Sequence, residues 1–480
     1  MGHFEEKTSC KALVPENLVT DFGANTHVSR QFVSSLYHSL FRLLDDGDQS
    51  LAAMQFEQWR ALFGAVAGFD ESSNHLRDKR SFRKFARSMG IDRIDVNPPF
   101  LVFAVHTYYA LLTKLIAYHA LARFDSSQRT RFNLLCELSN GELKHELAEL
   151  ERGSIFRTLG LRNFLERDSF SWYLESWGND TTRAVRLLLG RLKNYDAGTL
   201  DDSPEQTGDL LKNLYHRTIP REIRHDLGEY YTPDWLAEHT LNQLGYEGQI
   251  DRRLLDPSCG SGTFLVLAIR RLRKTCFNEG LNKQETLEAI LNNIVGIDLN
   301  PLAVLAARAN YVLALGDLFA DRTQDISPPI HLADSILDPY DEQTLSIGDF
   351  DYVAGNPPWV GWESLPDDYR HRTQPLWEQY GLFPHGGMAT ILGQGKKDLS
   401  MLMSYAVTDH FIKSGGKLGF VVTQSVFKTS GASQGFRRFR FGNRDDQVVR
   451  VNSVDDLTDF QAFEGASNRT AVFVWTKGEK

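Results

Sequence analysis

Short apolar runs alternate with helix-like segments from about residue 216 onward, and this pattern leaves few folds open to the chain. The runs are RRLLDP, NIVGID, IHLADS, DYVAGN, KLGFVVTQ, QVVRVNSV and RTAVFVWT. Alternating strands and helices predict a mostly parallel sheet with helices on both faces. No clear helix separates the last two runs, so we expect an antiparallel hairpin to close this α/β sheet.

The N-terminal half has a different pattern. Its apolar side chains recur at spacings of three and four, as in VSSLYHSLFRLL, which predicts helices. We therefore expect three parts: an N-terminal tail (1–29), a helical domain (30–215) and an α/β domain (216–480).

The stretch 100–122 is apolar and long enough to cross a membrane. It carries His106, Lys114 and His119, and ionisable side chains are rare in membrane spans, so we predict a buried helix of a soluble protein. The N-terminus has charged residues and lacks the apolar segment of a signal peptide. Four cysteines without metal or disulfide spacing favour a reducing, cytoplasmic location.

The first run of the α/β domain ends at Asp256, in LLDPSCGSGTF. Gly260 and Gly262 permit a tight turn and a close backbone approach to a ligand. The turn is neither a P-loop, since no Gly-Lys-Ser/Thr follows, nor the G-x-G-x-x-G of dinucleotide enzymes. We interpret it as a nucleotide-type loop.

Acidic residues end the next two runs. IVGIDLNP ends its strand at Asp298, Asn300 is suited to cap the following helix, and Pro301 suits its first position. A carboxylate at the end of the second strand is placed to accept both hydroxyls of a ribose. In IHLADSIL, Asp334 can accept from an adenine amino group. The alternative for either residue is a surface aspartate at a strand end.

The fourth run, in FDYVAGNPPWVGW, passes into Asn356, two prolines and Trp359. Prolines cannot donate to a sheet ladder, so the strand ends there. The structural alternative is a proline stop followed by a core tryptophan. With DPSCGSGTF, GIDLNP and LADSIL, in this order, GNPPW resembles motifs I to IV of the gamma-group N6-adenine DNA methyltransferases of restriction–modification and phage-defence systems. LGEYYTPDWLAEHTL resembles their motif X, and looser matches to motifs V, VI and VIII follow.

The resemblance implies a Rossmann-like, seven-stranded sheet that uses S-adenosylmethionine, preceded by a mostly helical domain. Residues 216–480 would then be the methyltransferase catalytic domain. The resemblance assigns catalysis to Asn356, Pro357, Pro358 and Trp359. It assigns stacking on a flipped base to Trp359 and Phe463. It places the cofactor against Tyr231, Thr232, Pro233, Asp256, Ser258, Cys259, Gly260, Gly262, Asp298, Leu299 and Asp334, with no metal.

Other acceptors and other roles stay open. RNA guanine-N2 or adenine methyltransferases and protein-glutamine methyltransferases use similar loops, and a catalytically silent DNA-binding subunit is a further alternative. Three features favour adenine in DNA as the methyl acceptor: Trp359, the position of motif X and the long helical segment that precedes it.

The net charge of −9 does not indicate a nucleic-acid binder, but basic residues cluster in two places. LRDKRSFRKFARSMG (76–90) predicts either a solvated helix face or a patch that contacts phosphates. Arg437, Arg438 and Arg440 are predicted to contact the DNA backbone. In gamma-group enzymes a target-recognition domain usually follows motif VIII. In this sequence only four residues follow the last apolar run, RTAVFVWT. We therefore expect a catalytic module that needs a specificity partner, or a truncated form of a longer enzyme.

Overall fold

The computed structural model describes most of the chain, with short gaps. The described ranges are 10–45, 50–67, 79–92, 96–124, 132–165, 170–199, 209–220, 231–338, 350–383, 398–429, 432–441, 448–463 and 469–478. The chain divides into two compact units. We call them the helical unit (Met1–Glu57, Asp78–Pro220 and Gln324–Ile326) and the sheet unit (Gln58–Arg77, Arg221–Thr323 and Ser327–Lys480). The domain boundaries given above stay a prediction.

The helical unit contains most of the N-terminal helices and one small parallel pair of strands, β1 (Lys11–Ala12) and β2 (Tyr195–Asp196). Its helices are α1 (Pro15–Phe22), α2 (His27–Asp45), the start of α3 (Leu51–Ala67), α4 (Lys79–Ser88), α5 (Pro98–Ala122), α6 (Asn140–Glu151), α7 (Ser154–Thr158), α8 (Asn179–Leu192) and α9 (Leu210–Thr218). Helix α1 lies within the stretch predicted as an N-terminal tail.

Helix α5 is the apolar stretch that could have suggested a membrane span. Its most apolar window is 94% buried, so it is a core helix of the helical unit, as predicted. The buried ammonium of Lys114 pairs with the carboxylate of Glu151 on α6. The His106 ring lies 2.9 Å from the Tyr215 hydroxyl, and burial lowers the pKa of His106 to about 3, so this ring is neutral at pH 7.

A second helix within the described residues, Pro301–Phe319, is also long and apolar enough for a span. It is 83% buried over its most apolar window. Burial to this extent is a property of core helices, and neither segment is evidence for a membrane location.

All seven predicted strands are present in the sheet unit. They are β3 (Leu254–Asp256), β4 (Ile294–Asp298), β5 (Ile330–Leu332), β6 (Phe350–Gly355), β7 (Ile412–Thr423), β8 (Val449–Asp456) and β9 (Thr470–Lys477). Their order in the sheet is β5-β4-β3-β6-β7-β9-β8. Pairing is parallel from β5 through β7, and β9 runs antiparallel to both of its neighbours. The predicted antiparallel closure is therefore confirmed.

The helices of the sheet unit connect and cover these strands. They are α10 (Asp234–Leu244), α11 (Thr263–Asn278), α12 (Lys283–Asn293), α13 (Pro301–Leu315), α14 (Asp367–Gln379), α15 (Leu399–Phe411), α16 (Ser425–Lys428) and α17 (Ala432–Phe436). The strand order reverses between β3 and β6. Strands β4 and β5 lie on one side of β3, and the chain then crosses over to place β6 on its other side. Ligands of open α/β sheets bind at the carboxyl ends of the strands beside such a reversal.

The buried pair in α5 leads to a prediction about stability. Replacing Lys114 by Met removes the ammonium that pairs with the buried Glu151 carboxylate, which should lower the free energy of unfolding by about 3–5 kcal/mol. Urea denaturation measures this change. The double variant Lys114→Met/Glu151→Gln should recover most of the loss, because the amide still accepts from the Tyr173 hydroxyl. Equal loss in both variants would contradict a charge effect.

Candidate active site

A cleft of about 1060 Å³ opens at the carboxyl ends of β3, β4, β5 and β6. Ten of the residues predicted from the sequence line it. Six come from the predicted cofactor set: Tyr231, Ser258, Gly260, Asp298, Leu299 and Asp334. Four follow β6: Asn356, Pro357, Pro358 and Trp359. Parallel strands end at the same edge of a sheet, which brings residues from four distant segments together.

The loop after β3 is a tight turn that depends on two glycines in left-handed conformations. Gly260 has φ +54° and Gly262, which precedes α11, has φ +93°. The turn is closed by the Gly262 N–H, which donates to the Cys259 carbonyl at 2.8 Å. A Cβ on Gly260 would have no atom within 4 Å, so this residue faces open space.

Asp298 connects this loop to the next helix. Its Oδ2 accepts the Gly260 N–H and its Oδ1 accepts the Asn300 N–H, both at 2.8 Å. The Asn300 side chain in turn caps α13 by accepting the Leu302 N–H at 2.9 Å, and Pro301 opens the helix as predicted. Burial raises the pKa of Asp298, and the donated N–H groups act in the opposite direction.

Asp334 is held in a similar way after β5. Its Oδ1 accepts the N–H groups of Ile336 at 2.8 Å and Leu337 at 3.0 Å. The hydroxyl of Tyr369, on α14, bonds to the same carboxyl group. Burial raises the pKa of Asp334, and these bonds lower it. Three donors from two segments therefore fix the orientation of this carboxylate.

The segment after β6 is fixed by contacts along its length. The Asn356 carbonyl lies 3.4 Å from the Ser258 hydroxyl, and the Oδ1 atom of Asn356 is buried. The indole N–H of Trp359 donates to the Val421 carbonyl on β7 at 3.3 Å. The Val360 carbonyl accepts the N–H of Leu399, the first residue of α15, at 2.8 Å. A loop without a ladder of its own is in this way held by β3, β7 and α15.

Trp359 and Phe463 lie in direct contact. Their ring centroids are 4.9 Å apart and their planes meet at 81°, so one edge points at the other face. Sequence reasoning placed both rings against the same flipped base. The structure brings the two rings into contact with each other.

The remaining predicted residues lie outside the residues that line the cleft. Asp256 is buried, its Oδ1 accepts the Ser258 N–H at 3.2 Å, and burial with the nearby Asp298 raises its pKa. Burial also raises the pKa of the Cys259 thiol, which keeps it protonated. Thr232 is buried beside Pro233, which precedes α10, and Gly262 packs against α13.

The arginines predicted to contact DNA differ among themselves. Arg437 is half-buried and donates to the backbone carbonyls of Val426 at 3.2 Å and Thr429 at 2.9 Å, so it stabilises the turn after α16. Arg438 and Arg440 are exposed. Arg444, from the same segment, lies outside the described residues. Contact of these arginines with a phosphate backbone stays a prediction.

Sequence reasoning missed several lining residues. Tyr369, Leu365, Leu399, Met403, Ala303 and Ile336 also line the cleft. Leu365 and Tyr369 belong to the connection after GNPPW, where no strand end or glycine turn marks a position. Within the described ranges, no group of three or more His, Cys, Asp or Glu side chains could hold a metal ion.

Sheet order, the reversed β9 and a cleft beside the β3–β6 reversal together define the Rossmann-like methyltransferase class of fold. Residues 207–478, more than half of the chain, match the N-6 DNA Methylase family, and the chain belongs to that family. Membership confirms the resemblance carried by the four strand-end motifs.

Two curated relatives illustrate the match. The chain is 30% identical over 166 residues to the type II methyltransferase M.BstVI of Geobacillus stearothermophilus, covering 32% of this chain and 29% of that protein. It is 30% identical over 152 residues to the methylase subunit of the type I restriction enzyme MjaIX of Methanocaldococcus jannaschii, covering 30% and 22%. The chain thus spans less than a third of the length of either relative.

One solved structure is similar over almost the whole chain. The ATP-dependent type ISP restriction-modification enzyme LlaBIII, bound to DNA, aligns with 94% of this chain and 28% of its own, with a TM-score of 0.52 and 14% identity. At this identity the similarity concerns the fold alone.

The close approach of β6 to Asp256 generates a prediction. A Cβ on Gly355 would lie 2.6 Å from the Asp256 Oδ1, so Gly355→Ala should lower the free energy of unfolding by about 1–3 kcal/mol. Gly361→Ala is the matched control, because its Cβ would lie 3.6 Å from its nearest neighbour, the Glu363 Oε2. Chemical denaturation of both variants checks the difference, and equal stability would show that Asp256 moves freely.

Proposed function

We propose that this chain transfers a methyl group from S-adenosylmethionine to the N6 atom of adenine in DNA, on a base rotated out of the duplex. The observation that supports this most is the sharing of one cleft by Asn356, Pro357 and Trp359 with the carboxylates of Asp298 and Asp334. Asn356, Pro357 and Trp359 can bind the exocyclic amino group and the ring of a target base. The two carboxylates can accept hydrogen bonds from a nucleoside.

The cleft fits S-adenosylmethionine by its donor and acceptor chemistry. Asp298 and Asp334 follow neighbouring strands and supply carboxylate oxygens for ribose hydroxyls and for an adenine amino group. Leu299 and Ile336 add apolar surface for the ring, and Gly260 leaves open space beside the loop. When bound, this cofactor supplies an electrophilic methyl group.

The residues after β6 would prepare the acceptor nitrogen. The exocyclic nitrogen of adenine is a weak nucleophile because its lone pair is delocalised into the ring. The side-chain oxygen of Asn356 and the carbonyl of Pro357 can each accept one of its N–H groups, which favours a pyramidal nitrogen with a localised lone pair. Two prolines and the contact of Ser258 with the Asn356 carbonyl hold these acceptors in place beforehand.

A flipped base would enter between aromatic side chains. Trp359 offers a ring face on which any base can stack, and its indole N–H is already engaged with Val421, which fixes the ring. Because the planes of Trp359 and Phe463 meet at 81°, one of the two rings would rotate before both could stack on one base.

The biological setting is part of the same proposal. One relative is a type II methyltransferase and another is the methylase subunit of a type I restriction enzyme, which supports a restriction–modification or phage-defence role. We propose DNA as the substrate and a specificity subunit or target-recognition domain as the partner. A cytoplasmic location follows from such a role, since the DNA is there.

Methyl transfer from labelled S-adenosylmethionine tests the proposal directly. The purified chain is incubated with mixed-sequence duplex DNA or with RNA of the same sequence. The nucleic acid is then digested to nucleosides, and the methylated nucleoside is identified by mass spectrometry. N6-methyladenine in DNA is the expected product. Label in RNA alone would establish the RNA alternative, and binding of DNA without any binding of S-adenosylmethionine would establish a silent subunit.

Asn356→Ala removes an acceptor for the target base and leaves the cofactor residues in place. Transfer should fall below detection, while the affinity for S-adenosylmethionine, measured by calorimetry, stays within about twofold of wild type. Asn282→Ala serves as the control, because Asn282 caps α12 and is exposed. Lost cofactor affinity in the Asn356 variant would contradict its assignment to the base.

Tyr369→Phe removes the hydroxyl that bonds to Asp334. The carboxylate is then less well oriented, and cofactor affinity should weaken by about 0.5–1.5 kcal/mol. Tyr380→Phe is a matched control at the end of the same helix, where the hydroxyl donates to Asp409 at 3.1 Å. Calorimetry on both variants separates a local effect on Asp334 from a general effect on α14. Equal affinities would remove Tyr369 from the cofactor site.

A further inference from the structure

A polar cleft of about 1190 Å³ runs along α2 of the helical unit. Seven α2 residues line it, and all are polar: His27, Arg30, Gln31, Ser34, Ser35, His38 and Arg42. Their spacing places them on one face of the helix. The span from His27 to Arg42 is 15 residues, or about 22 Å of helix. The face therefore presents hydrogen-bond donors over a distance much greater than one small anion needs.

Helix α4 carries a second basic face. Phe82, Phe85 and Met89 are buried and anchor the helix. Arg83, Lys84 and Arg87 are exposed on its other side. Two alternatives were predicted for residues 76–90, a solvated helix face and a patch that contacts phosphates. The packing of α4 is compatible with both, so the choice between them depends on the neighbouring residues.

The two basic faces are held together at one corner. The Asn25 N–H, just before α2, donates to the Ser88 carbonyl at the end of α4 at 3.2 Å. Gly90, with φ +79°, also lines the α2 cleft, and a Cβ there would lie 3.1 Å from the Arg30 carbonyl. This close approach holds the end of α4 beside the start of α2.

The described residues at these two faces include two acidic neighbours. Among the described residues around these two faces, Asp180 lines the cleft and Asp92 lies 3.6 Å from Arg87. The chain as a whole has a net charge of −9, so a concentration of cations here departs from its average. None of the large apolar side chains exposed within the described ranges lies on α2 or α4. A protein interface would need an apolar centre, which this surface lacks.

We propose that these two faces, which we call the basic surface (Arg30, His38, Arg42, Arg83, Lys84 and Arg87), bind the phosphate backbone of duplex DNA. The inference rests on the proposed function, because it assigns to the helical unit part of the binding energy for the substrate. A 22 Å row of donors is long enough to reach several phosphates of a duplex, whose charges lie about 3.4 Å apart per strand along the helix axis. Contacts of this kind bind DNA without reading its sequence.

The test compares two triple variants with equal changes of charge. Arg83→Gln/Lys84→Gln/Arg87→Gln neutralises exposed residues of the basic surface. Lys144→Gln/Arg152→Gln/Arg157→Gln neutralises exposed residues of α6 and α7 as a control. Affinity for a 30-base-pair duplex is measured by fluorescence anisotropy over a series of salt concentrations. The first variant should lower the slope of log affinity against log salt by about 2 to 3, and the control should change it by less than one.

Further arms separate this inference from the proposed function. The DNA concentration that gives a half-maximal rate of methyl transfer should rise at least tenfold in the first variant. A wild type that methylates DNA, with equal DNA affinity in both variants, would overturn the basic surface and leave the proposed function intact. Tighter binding to an RNA duplex, or full displacement of DNA by millimolar phosphate, would overturn the assignment to duplex DNA. Arg30→Gln/Arg42→Gln repeats the test on α2.

Discussion

The carboxylate of Asp298 is the interaction on which the geometry of the cleft depends. It accepts N–H groups from the loop after β3 and from the start of α13, so it sets the distance between these segments. A carboxylate has about four acceptor positions, and Asp298 also accepts the Leu299 N–H, so about one position remains for a ligand. One side chain therefore both builds the cleft and presents a binding group in it. The Asp334 carboxylate repeats this arrangement one strand further along.

Local sequence was sufficient to predict the sheet and many of the strand-end residues that line the cleft. Buried parallel strands are short apolar runs, so β3 to β7 are visible as such, and the absence of a helix before β9 indicates its reversal. A capping Asn300 and a following Pro301 depend only on neighbouring backbone, and they were predicted correctly. Residues at strand ends then converge because parallel strands share an edge.

Contacts between distant segments could not be predicted in this way. Tyr369 reaches Asp334 from a helix that follows a connection with no turn signal, so its role depends on how α14 packs. The two backbone carbonyls that accept from the Arg437 guanidinium lie in a turn that its sequence pattern does not indicate. The contact between Trp359 and Phe463 likewise depends on how two loops distant in the sequence pack together. Each case is decided by tertiary partners that no local pattern records.

The position of β9 has a consequence for how the chain is synthesised. This strand lies between β7 and β8, although both precede it in the sequence, and it pairs with seven residues of each. During synthesis, the edges of β7 and β8 that pair with β9 therefore stay without their partner until β9 has been made. The β7 and β8 edges that β9 covers in the folded sheet stay exposed during this interval. Unpaired strand edges favour association with other chains. Nascent chains that pause before residue 470 should be the species that chaperones bind most.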